Sequence, residues 1–231
     1  MTPRLHVTAE GPTEERYVNS VLVDYLGGFQ VVTDVRSVKT GRKHGVDYRG
    51  GMTNYQKARQ DIVNWMKEDQ KPDAFFTTMF DLYGLPDDFP GYAVARRESD
   101  PYRRVAVLEA AFKQDFDHPR FLPYVQLHEF EALLLTDPQK LALEYLDLDH
   151  DRAIQRLVKM MSGQNPELIN DGPETAPSKR IIREIPAYEH QKTSAGPTVA
   201  KNIGIPNLKG KCRHFSEWLG QLERLAETLV Q

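Results

Sequence analysis

The chain has 231 residues, with 30 Lys and Arg against 33 Asp and Glu, a formal net charge of −3 and 40% hydrophobic residues. This balance is typical of a globular protein and excludes collagen-like and intrinsically disordered chains. The single cysteine, Cys212, excludes an internal disulfide, a cysteine-rich zinc site and a CxxC redox motif. No apolar run approaches the roughly 18 residues of a membrane-spanning helix, and no signal-peptide core is present near Met1. We therefore expect a cytoplasmic protein without a membrane partner.

The first half of the chain alternates short runs of β-branched and aromatic residues with stretches whose apolar residues recur at helical spacing. This alternation predicts an α/β fold with a mostly parallel sheet flanked by helices. The predicted strands are the segment around Leu5 and Val7, which ends at Glu10, and residues 29–38, 74–80 and 121–127. The predicted helices are one capped by Thr13 and stopped by Gly27 and Gly28, and two more at residues 55–66 and 105–116.

The pattern changes from about Glu129 onward, where apolar spacing indicates consecutive short helices. We therefore expect an α/β core over residues 1–135 and a helical C-terminal extension over residues 136–231, packed on the core as one compact unit. The last predicted helix has Phe215, Trp218 and Leu222 on one face.

Two carboxylates follow predicted strands directly. Glu10 comes after the first strand and Asp81 after the third, and in open α/β sheets ligands bind at the carboxyl ends of the strands. Mg²⁺ prefers a few carboxylate oxygens together with waters and substrate phosphates, so this pair suits a magnesium site. The alternative is that both side chains only cap a helix or a turn.

A third acidic group follows the fourth predicted strand. In an extended chain Glu129 and Glu131 point the same way, whereas in a helix that starts at Glu129 they lie about 200° apart and cannot share one ion. The apolar spacing of Phe130, Leu133 and Leu134 favours the helix, so one of the two is the expected ligand, with Glu129 slightly preferred. His128 is a candidate base or supporting residue.

Basic residues concentrate in two segments. Between residues 178 and 214 there are eight Lys and Arg against two acids, a local charge of +6. Ser178, Lys179 and Arg180 open a predicted helix there, where a bound phosphate would offset the two cations at the helix N-terminus. The second segment is a predicted glycine-bearing loop over residues 36–49. Both segments could bind a phosphate backbone or be solvated surfaces. Besides Ser178, Lys179 and Arg180, the candidates for phosphate contact are Arg42, Lys43 and Lys192.

Four tyrosines are candidates for base stacking, with core packing as the alternative use for most of them. They are Tyr48, Tyr55, Tyr83 and Tyr188.

Several segments carry a resemblance to known families. Residues 7–14, Val-Thr-Ala-Glu-Gly-Pro-Thr-Glu, resemble the first motif of Toprim domains, in which a strand delivers a glutamate followed by glycine. Residues 80–86, 128–134, 176–180 and 212–219 together resemble a bacterial family filed as domain of unknown function 4276. The resemblance implies a Toprim-like (Rossmann-like) fold, distantly similar to the nuclease domain of overcoming-lysogenization-defect proteins. It also implies a separate ATPase partner in phage-defence gene clusters.

The resemblance implies a Mg²⁺- or Mn²⁺-dependent nuclease that acts on DNA or RNA. Glu10 would act as metal ligand or general base, Asp81 and one of Glu129 and Glu131 as metal ligands, and Lys179 with Arg180 as phosphate or transition-state stabilisers. The supporting residues in this hypothesis are Glu14, Asp87 and His128.

The sequence departs from the Toprim pattern at Tyr83, where Asp-x-Asp would place a second aspartate after Asp81. Asp87 and Asp88 are near enough in sequence to replace it. The departure favours one alternative, a non-catalytic nucleic-acid-binding or ATPase-docking subunit. Another alternative is a phosphotransferase or nucleotidyltransferase that acts on a small nucleotide. No GxxxxGK[ST] motif is present, so any ATP dependence would come from a partner.

Overall fold

The described strands form one parallel sheet and one hairpin. The structure, a computed structural model, describes residues 1–43, 46–49, 52, 54–169 and 172–229, with the side chains of residues 39–43, 46–49, 148 and 173 outside the described part. The strands are β1 (Arg4–Ala9), β2 (Val32–Ser37), β3 (Lys39–Lys43), β4 (Val46–Arg49), β5 (Ala74–Asp81), β6 (Phe121–Leu122) and β7 (Val125–Gln126).

Helices surround the sheet and make up most of the second half of the chain. The α-helices are α1 (Pro12–Tyr17), α2 (Val23–Gly27), α3 (Tyr55–Glu68), α4 (Tyr92–Ala95), α5 (Pro101–Phe116), α6 (Glu131–Leu134), α7 (Leu148–Met161), α8 (Pro177–Glu184), α9 (Lys192–Ile203), α10 (Ile205–Lys211), α11 (Arg213–Glu223) and α12 (Leu225–Thr228). A π-helical turn joins α1 to α2 over Val18–Leu22. Short 3-10 helices are found at Leu82–Gly84, Pro138–Leu143, Pro166–Leu168, Pro173–Thr175 and Pro186–His190.

The sheet has the strand order β2-β1-β5-β6, and β7 also pairs with β5. Every strand pair in this sheet is parallel, whereas β3 and β4 pair antiparallel in a separate two-stranded sheet. The carboxyl ends of β1, β5 and β7 therefore lie at the same edge of the sheet. The predicted α/β fold with a mostly parallel sheet and a helical C-terminal region is confirmed.

Alternate residues of the central strand β5 support two hydrophobic cores. Phe75 and Met79 belong to one core, and Phe76 and Phe80 belong to the other. Because successive side chains of a strand point to opposite faces, β5 is buried on both sides, as is usual in parallel sheets. The first core also contains Trp218 and other side chains of the C-terminal helices, so residues of both predicted regions share one hydrophobic cluster.

The predicted strand over residues 121–127 is divided into β6 and β7. Pro123 lies between them and has no amide hydrogen to donate to a neighbouring strand. The side chain of Thr78 replaces backbone pairing at this point: its hydroxyl donates to the Tyr124 carbonyl and accepts from the Tyr124 amide, both at 2.9 Å. The division thus has a local cause, and β7 continues toward Glu129.

Two other sequence-based assignments are corrected by the structure. Residues 39–49, predicted as part of a loop, contain the hairpin of β3 and β4. Residues 29–31, predicted as strand, precede β2: residues 29 and 30 belong to a turn, and residue 31 has no regular secondary structure. No helix among the described residues has the length and apolar character needed to cross a membrane.

We predict that Phe112→Ala lowers the free energy of unfolding by about 3–5 kcal/mol, because it removes a fully buried ring. The ring of Phe112 contacts five aromatic rings, which are those of Tyr55, Phe80, Phe89, Phe116 and Phe121.

Urea unfolding monitored by circular dichroism measures the change in Phe112→Ala. The matched control is Val94→Ala on α4, whose side chain is 59% exposed and whose change we expect within about 0.5 kcal/mol. Equal stabilities for the two variants would contradict the assignment of Phe112 to the core.

Candidate functional site

Glu10 and Asp81 meet at the carboxyl ends of the two central strands. Ala9 pairs with Met79 in the parallel register of β1 and β5, and the Glu10 amide donates a hydrogen bond to the Met79 carbonyl at 3.0 Å. The Asp81 amide in turn donates to Glu10 Oε2 at 2.8 Å. The structure therefore brings together the two carboxylates that the sequence pattern placed at this edge.

Gly84 allows the chain after Asp81 to pass directly over the Glu10 side chain. A Cβ atom at residue 84 would lie 2.2 Å from Glu10 Oε1 and 2.6 Å from Glu10 Oε2. These distances are shorter than any van der Waals contact, so a side chain at residue 84 would displace the Glu10 carboxylate. The short 3-10 turn after β5 consequently forms one wall of the site.

Glu14 belongs to the same carboxylate group because of the way α1 begins. Gly11 occupies the N-cap position with an extended backbone, and the Glu14 carboxylate accepts a hydrogen bond from the Gly11 amide at 2.9 Å. This bond satisfies one of the unpaired amides at a helix start. The predicted cap, Thr13, is wrong: Thr13 lies inside the first turn. The Glu14 side chain is buried beside Glu10 rather than exposed.

Glu129 and Glu131 enter the site after a sharp change of backbone direction. His128 has a φ of 62°, in the left-handed region that few residues other than glycine adopt. Glu129 Oε1 accepts from the Ser178 amide at 2.6 Å, and its Oε2 accepts from the Ser178 hydroxyl at 3.0 Å. Glu131 begins α6 and accepts from the Tyr188 hydroxyl at 3.1 Å. The two glutamates are thus held by different elements.

Five carboxylates form this group, which we call the carboxylate cluster: Glu10, Glu14, Asp81, Glu129 and Glu131. Burial raises the pKa of Glu10, Glu14 and Glu131 to about 7 in each case. Burial also raises the pKa of Asp81 well above its ordinary value, and the charges of the other four carboxylates raise it further. The cluster therefore concentrates more negative charge than its surroundings neutralise.

Lys192 is the cation whose charge lowers the pKa of Glu14 and Glu131 against these effects. It begins α9, and its Nζ lies 3.6 Å from Glu131 Oε1. One lysine cannot balance the charge of five carboxylates. The other carboxylates must therefore be protonated, or their charge must be offset by an ion from solution.

The donor set of the cluster fits a hard divalent cation such as Mg²⁺. Asp81 Oδ1 is buried and accepts no hydrogen bond from the described residues. In the part of the chain that the structure describes, no three Asp, Glu, His or Cys side chains are arranged to hold one metal ion together. A full protein cage is therefore absent there, but Mg²⁺ commonly binds through one or two carboxylates with waters and phosphates as its other ligands. Asp81 and Glu10 are the residues that would hold such an ion.

The cations at the start of α8 are placed differently from one another. Lys179 is exposed and directly follows Ser178, the partner of the cluster residue Glu129. Arg180 points back into its own chain, where its guanidinium donates to the carbonyls of Thr175 and Ile169 at 2.6 and 2.8 Å. The two donors of Ser178 already hold a carboxylate, which takes the place of the phosphate expected at this helix start.

Other cations of the basic C-terminal segment are engaged within the chain. Lys209 lies 2.5 Å from Glu223, and Arg213 lies 2.8 Å from Glu217. Lys211 donates to the Thr136 carbonyl at 2.6 Å. Part of the local charge of +6 is therefore engaged within the chain. The side chains of Arg42, Lys43 and Tyr48 lie outside the described residues.

The supporting residues proposed from sequence have separate surroundings. Asp88 accepts from the Tyr55 amide at 3.0 Å, and Asp87 hydrogen-bonds to Tyr92. Both aspartates thus have hydrogen-bond partners outside the carboxylate cluster. Burial and the charge of Arg104 lower the pKa of His128 to about 4, which makes its imidazole a weak base.

Sequence reasoning missed two residues that shape the cluster. In the sequence-based hypotheses Tyr188 has a role only in stacking or packing, whereas in the structure its hydroxyl donates to Glu131. Gly84 has no role in those hypotheses. The Gly-Leu-Pro sequence after Asp81 was an available signal for a close backbone approach, whereas nothing local to Tyr188 indicates a partner 57 residues away.

We predict that Gly84→Ala displaces the Glu10 carboxylate and breaks its bond with the Asp81 amide. The loss of one buried charge-assisted hydrogen bond lowers the free energy of unfolding by about 1–3 kcal/mol. Thermal and urea unfolding measure this change in the free energy of unfolding. The matched control is Gly210→Ala in α10, where a new Cβ meets nothing within 4 Å and the change should be neutral or stabilising. Equal effects of the two substitutions would contradict the tight contact with Glu10.

We predict that the free energy of unfolding falls as the pH rises from about 4.5 to about 7 in metal-free buffer. Carboxylates whose pKa is raised in the folded state bind more protons there than in the unfolded chain. They therefore add to the free energy of unfolding at low pH, and this contribution is lost as the pH rises through the pKa of the folded state. The total loss should exceed about 1 kcal/mol.

Urea unfolding at a series of pH values checks this dependence. Glu10→Gln should reduce the slope and be more stable than the native chain at pH values above about 7, since it cannot ionise. Glu227→Gln, which alters an exposed glutamate, should leave the slope unchanged. A stability that rises with pH over this interval would contradict the raised pKa values.

Comparison with known proteins bears on the identity of the chain. One family model, described as Domain of unknown function (DUF4276), matches residues 9–223, a range that contains the whole carboxylate cluster. No curated protein and no solved structure matches the chain. Because the match extends over most of the sequence, the chain belongs to the family described as Domain of unknown function (DUF4276).

Proposed function

We propose that the chain is a metal-dependent nuclease that hydrolyses phosphodiester bonds of DNA or RNA. The observation that carries the proposal is the carboxylate cluster, which gathers five acidic side chains at the carboxyl edge of a parallel sheet with Lys192 as their nearby cation. Such an excess of negative charge favours binding of a divalent cation. The resemblance of residues 7–14 to the first Toprim motif supports the same function.

The proposed roles follow from the surroundings of each side chain. A divalent cation held by Asp81 and Glu10 would neutralise phosphate oxygens and make water a stronger nucleophile near neutral pH. Glu131 has a pKa near 7, which suits a group that takes up a proton during hydrolysis. Lys192, whose Nζ lies 3.6 Å from Glu131 Oε1, would contact a phosphate oxygen beside Glu131. Glu129 remains bound to Ser178 and orients the start of α8.

An open surface next to the cluster supports a polymeric substrate. A hollow of about 400 Å³ lies beside the starts of α1 and α9, with Pro12, Arg16 and Thr193 in its wall. Arg16 is exposed on this surface, and Lys192 directly precedes Thr193. Glu15 also lines this hollow, so Arg16 and Lys192 are the cations on this side of the cluster that would contact a phosphate backbone.

We predict that the purified chain cleaves plasmid DNA, single-stranded DNA or RNA in the presence of Mg²⁺ or Mn²⁺. Glu10→Gln and Asp81→Asn should each lower the cleavage rate about 100-fold or more, because each removes one charged oxygen donor of the proposed ion site. Gel analysis of end-labelled substrates measures the rate. A chelator should abolish cleavage.

The control for this experiment is Asp149→Asn, which makes the same chemical change at an exposed carboxylate in the first turn of α7. We expect its cleavage rate to equal that of the native chain. Metal-dependent cleavage that persists in both cluster variants would contradict the proposed centre. Turnover of free nucleotides without polymer cleavage would instead support a phosphotransferase.

A non-catalytic nucleic-acid-binding subunit is the second candidate function. It is favoured by the lack, among the described residues, of three ligating side chains already arranged around one ion. This candidate predicts that Glu10→Gln binds nucleic acid as tightly as the native chain and that neither cleaves it. Any coupling to ATP would then require a separate ATPase, since the chain has no GxxxxGK[ST] motif.

A further inference from the structure

A second hollow, of about 190 Å³, lies against the segment that follows Asp81. Leu82 and Tyr83 form one wall, Tyr92 and Arg96 of the α4 region form another, and Arg104 of α5 closes it. We call this the Tyr83 hollow. None of these side chains has a role in the function proposed above, and the Arg and Tyr content of the hollow differs from that of the carboxylate cluster.

The Tyr83 hollow adjoins the carboxylate cluster through the chain itself. Tyr83 is separated from Asp81 by one residue, and its amide donates to the His128 carbonyl at 3.0 Å. The rings of Tyr83 and His128 lie 5.5 Å apart between centroids. His128 directly precedes Glu129, so a residue that lines the hollow contacts the segment that carries a cluster residue. A ligand in the hollow would therefore be a close neighbour of the cluster.

Two guanidinium groups converge on this hollow. Arg104 is held in place by its Nε and Nη2 atoms, which donate to the Glu98 carbonyl at 3.1 and 2.6 Å. Arg96 is exposed at the end of α4. Both positive charges act on the Tyr92 phenol, which also hydrogen-bonds to Asp87. The hollow thus carries two cations near one carboxylate, the opposite balance to that of the cluster.

An exposed aromatic ring completes the hollow. The Tyr83 residue is 41% exposed, although it is a large side chain next to a buried strand end. Aromatic rings next to guanidinium groups are the surfaces on which single-stranded nucleic acids place a base and a phosphate. The volume of the hollow is below the roughly 300–1,000 Å³ of pockets that enclose a whole small molecule, so it suits one part of a longer ligand.

We infer that the Tyr83 hollow binds a nucleoside phosphate unit of a single strand, with the base on the Tyr83 ring and the phosphate on Arg96 and Arg104. This inference deepens the proposed function and rests on it, because the bound unit would be a neighbour of the phosphodiester at the carboxylate cluster. It also gives a function to the tyrosine found where the Toprim pattern has a second aspartate.

The test measures binding without turnover. Fluorescence anisotropy of a labelled oligonucleotide of about 10 nucleotides is recorded in chelator, with competition by unlabelled nucleoside monophosphate. Tyr83→Ala should weaken oligonucleotide binding about tenfold, the effect of losing one base stack, whereas Tyr83→Phe should keep the native affinity within about twofold. Thermal unfolding of each variant verifies that it is folded.

Arg96→Gln tests the phosphate contact through salt dependence. The slope of log affinity against log salt concentration should fall by about one, because one fewer phosphate is neutralised. The matched control is Arg97→Gln, the same change at the adjacent exposed residue outside the lining of the hollow, and it should keep the native slope. Monophosphate should compete only at far higher concentration than the unlabelled strand.

The outcomes separate this inference from the proposed function. Native affinity and native salt slope in Tyr83→Ala and Arg96→Gln would overturn the inference that the Tyr83 hollow binds a strand, even if the native chain cleaves nucleic acid. Loss of affinity in these variants would support binding of a strand in the Tyr83 hollow, even if the native chain never cleaves nucleic acid. Monophosphate that binds as tightly as the strand would overturn the assignment to a strand.

Discussion

The hydrogen bond from the Asp81 amide to the Glu10 carboxylate joins the ends of β1 and β5, and the rest of the site depends on this junction. The parallel register delivers both residues to the same edge, and Gly84 then lets the chain close over the Glu10 side chain. Because the amide holds one oxygen of Glu10, the carboxylate has a fixed direction. The remaining acidic residues are arranged around that fixed group.

The sequence was sufficient to predict the parts of this arrangement that depend on local pattern. The strand around Leu5 and Val7, the helix over residues 55–66 and the buried strand at residues 74–80 agree with the structure, because their apolar periodicity is set by the core that they face. Parallel strands share their carboxyl edge, so the proximity of Glu10 and Asp81 also followed from pattern alone.

The parts that the sequence could not give depend on contacts between distant segments. A count of Lys and Arg suggests a basic surface, but the charge of Lys209 is paired with Glu223, which only the packing of α10 on α11 reveals. Ser178 and Glu129 are 49 residues apart, and the bond between them uses the helix start that appeared suited to phosphate. The Thr13 cap failed for a local reason, because Gly11 adopts the extended N-cap backbone and leaves its amide to Glu14.

The gathering of five carboxylates, of which Glu14 and Glu131 are buried and the others are partly buried, has a thermodynamic consequence for the whole chain. Mutual repulsion at one edge of the sheet lowers the stability that the two hydrophobic cores provide, so the site is maintained at the expense of the fold. A ligand that binds only the folded chain returns stability by mass action, about 2.7 kcal/mol at a hundred times its dissociation constant. If a cation binds this cluster, the melting temperature would therefore rise with the concentration of that cation, and a plot of one against the other would report its binding.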